Sequence, residues 1–221
     1  MTARPPQVIA VDGPAASGKG TLARRLARHF GFAFLDTGLL YRAVGSRLLR
    51  ANQNLGNEAA AIAAAGAVTA GELADPGLRS EAIGQAASAV AKIPGVRQAL
   101  LDFQRRFAAA PTDEQGRPAK GAVIDGRDIG TVICPDAPVK LFVNADLETR
   151  AKRRHKELLE RGEAIIYARV LEDMERRDLQ DRGRSVAPMA KAPDAFEIDT
   201  TRLDADGAFA AALSFIGSRL D

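Results

Sequence analysis

The sequence predicts an α/β fold in three layers, α/β/α, with a five-stranded parallel sheet, a helical insert and a helical lid. Apolar runs recur at Val8–Val11, Phe32–Leu35, Ala122–Ile124, Val139–Val143 and Phe196–Ile198. Helical patterns separate most of them, the order that builds parallel sheets. The runs are mostly continuous rather than alternating, as strands buried on both faces require.

The first strand leads into Gly13-Pro14-Ala15-Ala16-Ser17-Gly18-Lys19-Gly20-Thr21. A helix of about 19–29 follows, with Leu22, Ala23, Leu26, Ala27 and Phe30 on one stripe and Gly31 placed to cap it. From Ala59 to Phe107 the rhythm changes to alanine-rich helix, jointed at Asp75-Pro76-Gly77 and Ile93-Pro94-Gly95, and this stretch reads as an inserted subdomain. Residues 108–121 are polar with Pro and Gly and read as an exposed loop. From Leu147 to Arg177 the pattern is helical and charged, broken near Gly162, with a turn-rich tail over 181–188. The expected division is core 1–58, insert 59–107, core 108–149, lid 150–188, and core with the last strand and a C-terminal helix over 189–221.

The 221 residues suffice for one core and a small insert, and 46% hydrophobic with 27% charged residues excludes a disordered or collagen-like chain. No run approaches the roughly 18 apolar residues of a membrane span, and residues 1–7 lack a signal-peptide core. One cysteine cannot close an intrachain disulfide, and Cys134, between an apolar pair and a proline, reads as packing. Two histidines without a Cys/His cluster argue against zinc, so the expected compartment is a reducing cytoplasm. The net charge of +3 lies wholly within 150–184, which holds eleven basic and eight acidic residues. Aromatic residues are 5%, few for stacking bases, so small anionic ligands rather than nucleic acid are expected.

The loop after the first strand has the spacing G-x-x-x-x-G-K. Backbone N–H groups and a helix N-terminus converge on a polyphosphate, and Lys19 adds a full charge toward its β and γ phosphates. A glycine turn merely joining strand to helix would not need lysine in that register. Gly20 stands where a magnesium-ligating Ser or Thr is usual, with the hydroxyl one residue later at Thr21, so a metal is expected to rest mainly on phosphate oxygens and water.

Three further segments carry candidate chemistry. Asp36-Thr37-Gly38-Leu39-Leu40-Tyr41-Arg42 follows the second strand, and Arg42 either faces an anion or stands in solvent on a capped helix. Asp125-Gly126-Arg127-Asp128-Ile129-Gly130 follows another strand; it either pairs a phosphate-binding arginine with an amino-accepting aspartate or is an Asx-stabilised turn. Arg176-Arg177-Asp178 and Asp181-Arg182-Gly183-Arg184 end the charged helix. Arg177 and Arg184 would share a face if the helix continued, which Gly183 argues against.

Together GPAASGKGT, LDTGLLYR, IDGRDIGTVICPDAP and RRDLQDRGRSVAP resemble the bacterial cytidylate kinases, a family of P-loop nucleoside monophosphate kinases, from about Val8 to the last strand. The DGFPR segment usual in other such kinases is absent. The resemblance implies a P-loop NTPase fold that transfers the γ-phosphoryl of ATP to CMP or dCMP, with Mg2+, in a monomer. It implies ATP phosphates at Gly13–Thr21; cytosine at Thr37, Arg97, Asp128 and Arg184; sugar at Ser88, Arg177 and Asp181; and the CMP phosphate at Arg42 and Arg127. Lys19, Arg127, Arg177 and Arg184 would act in catalysis, with Arg150, Arg153 and Arg154 as further candidates on the lid. Compared with the family, the stretch between Ala67 and Ser80 is shorter and the loop 108–121 longer.

Other acceptors, such as UMP, AMP or shikimate, and a non-catalytic ATP-binding module are the competing readings. An N-K-x-D guanine motif, which a GTPase switch needs, is missing.

Overall fold

In the computed structural model, which describes residues 6–217 and 219–220, the five predicted apolar runs form one sheet. Its strands are β1 (Gln7–Asp12), β2 (Ala33–Asp36), β3 (Gly121–Asp125), β4 (Val139–Asn144) and β5 (Phe196–Asp199), in the order β2-β3-β1-β4-β5. β1 pairs in parallel with β3 and with β4, and β4 in parallel with β5. The chain leaves β1 for one edge, returns through β3 and crosses to β4, so the order reverses beside β1. At such a switch point the carboxyl ends of the central strands open a crevice. Val11 pairs with Asp125, which sets Asp12 and Asp125 at that end of neighbouring strands.

The chain forms two compact units, one of residues 1–35 and 110–221 and the other of Asp36–Ala109. In the first, α1 (Lys19–Phe30) and α8 (Ala205–Ile216) bury Leu22, Leu26, Ala212 and Ile216 against Ile9, Val11, Val123 and Leu141 of the strands. At about 25 cal/mol per Å2 of apolar surface removed from water, such burial is the main stabilising contribution. Gly31 ends α1 in the left-handed region, at φ 64°. A second cluster joins α6 (Leu147–Glu160) to α7 (Tyr167–Arg182) through Ala151, Leu158, Val170 and Met174. The predicted break is at Gly162, φ 78°.

The second unit is helical. Its α2 (Thr37–Arg50), α3 (Glu58–Gly66), α4 (Glu81–Val90) and α5 (Pro94–Ala109) enclose Leu40, Val44, Ala61, Val90, Val96 and Leu100. The stretch before α4 is two short 3-10 helices, Ala70–Ala74 and Pro76–Arg79, with Asp75 capping the second through Gly77 N–H at 2.8 Å. Within 108–121, Thr112 bridges Pro118 around a turn in which Asp113 accepts from Gln115 and Arg117 N–H, each at 2.9 Å.

Candidate active site

The segment Gly13–Gly18 turns sharply between β1 and α1. Ala16 has φ 57° and Gly18, the residue before α1, φ 87°. Gly13 has φ 143°, and a Cβ there would stand 2.0 Å from the Val143 carbonyl oxygen, so only glycine lets the loop leave β1 against β4. Ala15 and Ala16 pack on the α6–α7 cluster, and Pro14 is buried. Ser17 is fully buried, and its carbonyl accepts from Thr200 Oγ1 at 2.8 Å. Arg153 donates to that same hydroxyl at 3.0 Å and to the Thr200 carbonyl at 2.6 Å. Lys19 opens α1 with Nζ 3.7 Å from Asp125 Oδ1, and Thr21 is exposed. A Cβ on Gly20 would be 3.1 Å from Asp125 Oδ2, so the missing hydroxyl side chain leaves room for a carboxylate.

Past β3 the chain gathers charge. Arg127 Nε donates to Asp181 Oδ2 at 3.0 Å, and Arg184 Nη2 donates to Asp181 Oδ1. Asp181 is thus held between two guanidinium groups, one from the loop after β3 and one from just beyond α7. Burial pushes the Asp181 carboxyl up, but Arg127, Arg184 and Arg177 outweigh it and hold it below the ordinary aspartate value. Burial works against the Arg127 charge, and Asp181 with Asp125 more than offsets it, so its pKa is raised. Arg127, Arg177, Asp181 and Arg184 therefore belong to one electrostatic cluster. Gly183 ends α7 with its N–H on the Leu179 carbonyl, so Arg184 reaches Asp181 from outside the helix.

Asp128 is buried and precedes a π-helical turn, Ile129–Ile133. That turn is not closed by an Asx contact from Asp128. The cap comes from Asp12, whose Oδ1 and Oδ2 accept the N–H groups of Ile129 and Gly130, each at 2.8 Å. Burial pushes the Asp12 carboxyl up to about 7 despite these two N–H groups, which favour the charged form.

In the second unit, Arg42 lies on α2 and donates through Nη1 to the carbonyls of Leu78 at 2.7 Å and Ser80 at 3.1 Å. Its guanidinium crosses α4 at Gly84, where a Cβ would be 2.9 Å from Nη2. The second 3-10 turn and the residue after it therefore orient Arg42. Arg97 on α5 is buried with its guanidinium carbon 5.5 Å from the centre of the Tyr41 ring. Ser88 is half-buried on α4, and Thr37 is buried at the start of α2.

The lid candidates have other tasks. Arg150 is 3% exposed and donates to the carbonyls of Ala145 at 2.9 Å and Ala15 at 3.4 Å, and to Asp178 at 2.6 Å. Arg153 is committed to Thr200, and Arg154 pairs with Glu157 at 2.8 Å. Asp12, Thr200 and Gly84 are supporting residues that the sequence motifs did not single out, and Asp178, which stood in one of them, serves as the partner of Arg150. Of the first three, Asp12 alone had a local sign, its place directly before Gly13.

A sharp glycine loop leading into a helix N-terminus beside a lysine, with an acidic and arginine-rich cluster past the neighbouring strand, can hold a polyphosphate and a second anion. The family model Cytidylate kinase matches residues 9–217. Among similar proteins, a cytidylate kinase of Paramagnetospirillum magneticum is 59% identical over 96% of this chain and 98% of its own. One of Methylocella silvestris is 56% identical over 97% and 95%. Among solved structures, a shikimate kinase of Bacteroides thetaiotaomicron covers 96% of this chain and 98% of its own at TM-score 0.50 and 12% identity, a likeness of fold alone. A matching family model over nearly the whole described chain, relatives identical at more than half of their positions, and the observed loop agree: the chain belongs to the cytidylate kinase family.

Proposed function

We propose that this chain transfers the γ-phosphoryl group of ATP to CMP, giving ADP and CDP. The observation that carries this reading is the cluster in which Asp181 holds Arg127 and Arg184, in the same unit as the Lys19 loop. Partly buried guanidinium groups held in place by a carboxylate are preorganised for phosphate, so little reorganisation is needed at transfer.

The ATP phosphates take Gly13–Thr21, with Lys19 on the migrating group. The acceptor phosphate, ionised near neutral pH, is itself the nucleophile, so alignment and charge neutralisation suffice and no protein base is needed. Arg127 holds that phosphate, Arg177 and Asp181 take the sugar, and Arg184 and Asp128 the cytosine. A carboxylate at Asp128 accepts the cytosine amino group, whereas uracil would set its O4 against it. For the second unit, taken by itself, the reading assigns Arg42 to phosphate and Thr37, Ser88 and Arg97 to the nucleoside. Magnesium would be carried by phosphate oxygens and water, with Asp125, which lies beside Gly20 and Lys19, an acidic group close to the loop. When bound it neutralises charge on the phosphates. Acceptance of dCMP, a cytoplasmic setting and a monomeric state belong to the same proposal. Among the described residues no helix is long and apolar enough to cross a membrane.

A coupled ADP-release assay over CMP, dCMP, UMP, AMP and shikimate tests the reading. Turnover with CMP and dCMP, far above that with the others, is expected. A response to shikimate alone, or to none, would overturn it.

A further inference from the structure

Asp12 lies outside the motifs that bind phosphate, yet it is 4% exposed and both of its carboxylate oxygens are engaged by main chain from across the sheet. The first N–H groups of any helical turn lack partners within it and need an outside acceptor. Here they belong to Ile129 and Gly130, directly after Arg127 and Asp128. The residue at the cap position is Asp128 itself, and an aspartate there would ordinarily fold its carboxylate back onto the N–H of the second or third residue of the turn, Gly130 or Thr131. Asp12 takes that duty instead, so the Asp128 carboxylate is not spent on capping.

We propose that Asp12 is a positioning residue for the acceptor: its carboxylate pins the 126–130 loop to the end of β1 and so fixes the aim of Arg127 and Asp128. The inference rests on the reading that these two residues meet CMP. The close seat of the loop supports it. A Cβ on Gly130 would be 3.4 Å from Asp12 Oδ2 and 3.1 Å from the Lys140 Cδ, and Lys140 is itself anchored to Asp194 at 2.8 Å. The loop thus lies flat on β1 and β4, with two N–H bonds to a charged acceptor setting its height; bonds of that kind are about twice as strong as neutral ones. Because Gly13 follows Asp12 directly, the same residue ends the strand that launches the donor loop.

The test is Asp12→Asn, which keeps the shape but sets an amide NH2 against one of the two N–H groups. With ATP saturating, KM for CMP is expected to rise about tenfold or more. With CMP saturating, KM for ATP should stay within about twofold. The preference for CMP over UMP should narrow, because Asp128 is no longer aimed; a purely structural role would not move base selectivity. Gly130→Ala, which displaces the loop while leaving Asp12 charged, should give the same split and serves if Asp12→Asn does not fold. Unchanged KM for CMP and unchanged selectivity in a folded variant, with the wild type active on CMP, would overturn this assignment alone. A wild type inactive on CMP would overturn the reading beneath it.

Discussion

Arg150 donates to Asp178 at 2.6 Å with both side chains buried, and the same guanidinium reaches the Ala145 and Ala15 carbonyls. One side chain of α6 thereby ties α7 to the backbone of the loop between β1 and α1. Removing one partner of a buried pair strands the other charge, which typically costs about 3–5 kcal/mol. Arg150→Ala is expected to lower the stability of the folded chain by that amount, read from the urea midpoint, since it also orphans two carbonyls. If the midpoint held while turnover fell, Arg150 would instead be acting on phosphate.

Gly84 tests how Arg42 is aimed. The atom that an alanine Cβ would meet, Nη2, is the far end of a flexible side chain. Gly84→Ala should therefore fold within about 1 kcal/mol of the wild type, alanine also being the better helix former. The guanidinium would have to lift from α4, strain its bonds to the Leu78 and Ser80 carbonyls, and lose its aim. KM for CMP should rise several-fold with KM for ATP unchanged, in steady-state kinetics with each substrate varied in turn. Equal KM values would remove Arg42 from the acceptor.

At Gly13 the obstacle is backbone, not a movable side chain. A Cβ 2.0 Å from the Val143 carbonyl oxygen, at φ 143°, can be relieved only by separating the end of β1 from β4. Gly13→Ala should cost several kcal/mol, enough to leave most of the chain insoluble or unfolded at 37 °C. A soluble variant with a wild-type melting temperature would mean that the loop can exit β1 by another path.

The parts of this molecule legible in the sequence are those that local pattern determines. Apolar runs marked all five strands, most continuously the central β1, β3 and β4, which are buried along nearly their whole length, while the edge strands β2 and β5 are only partly covered; the spacing of Gly13, Gly18 and Lys19 marked the loop because a sharp strand-to-helix turn constrains neighbours in the chain. Arg127, Asp128, Arg177, Asp181 and Arg184 stood out in short motifs. The pairings that support them did not, because they join distant positions: Asp12 with Ile129 and Gly130, Ser17 with Thr200, Arg150 with Asp178. An arginine such as Arg150, in a run of surface-like charge, looks the same in sequence whether it meets phosphate or braces a helix. Only its burial distinguishes the two.

The Asp12 carboxyl gives a prediction with a definite sign. Its value in the folded chain is raised to about 7 from the ordinary 3.8 by burial, so between these values the folded state binds a proton that the unfolded state has released. The resulting contribution to stability is fully present below about pH 4 and is lost as pH rises toward and through 7. Asn at this position does not titrate. Urea unfolding of the wild type and Asp12→Asn at pH 5 and pH 8 should therefore show the difference, wild type minus variant, falling with pH. The two N–H bonds act the other way on function, since they are strongest when the carboxyl is ionised and both oxygens are full acceptors. Folding is thus expected to be favoured by the protonated form and acceptor positioning by the charged one, so this residue gives up stability near neutral pH for a fixed loop. A stability difference that is flat, or that grows with pH, would show that the N–H groups outweigh burial and keep Asp12 ionised throughout.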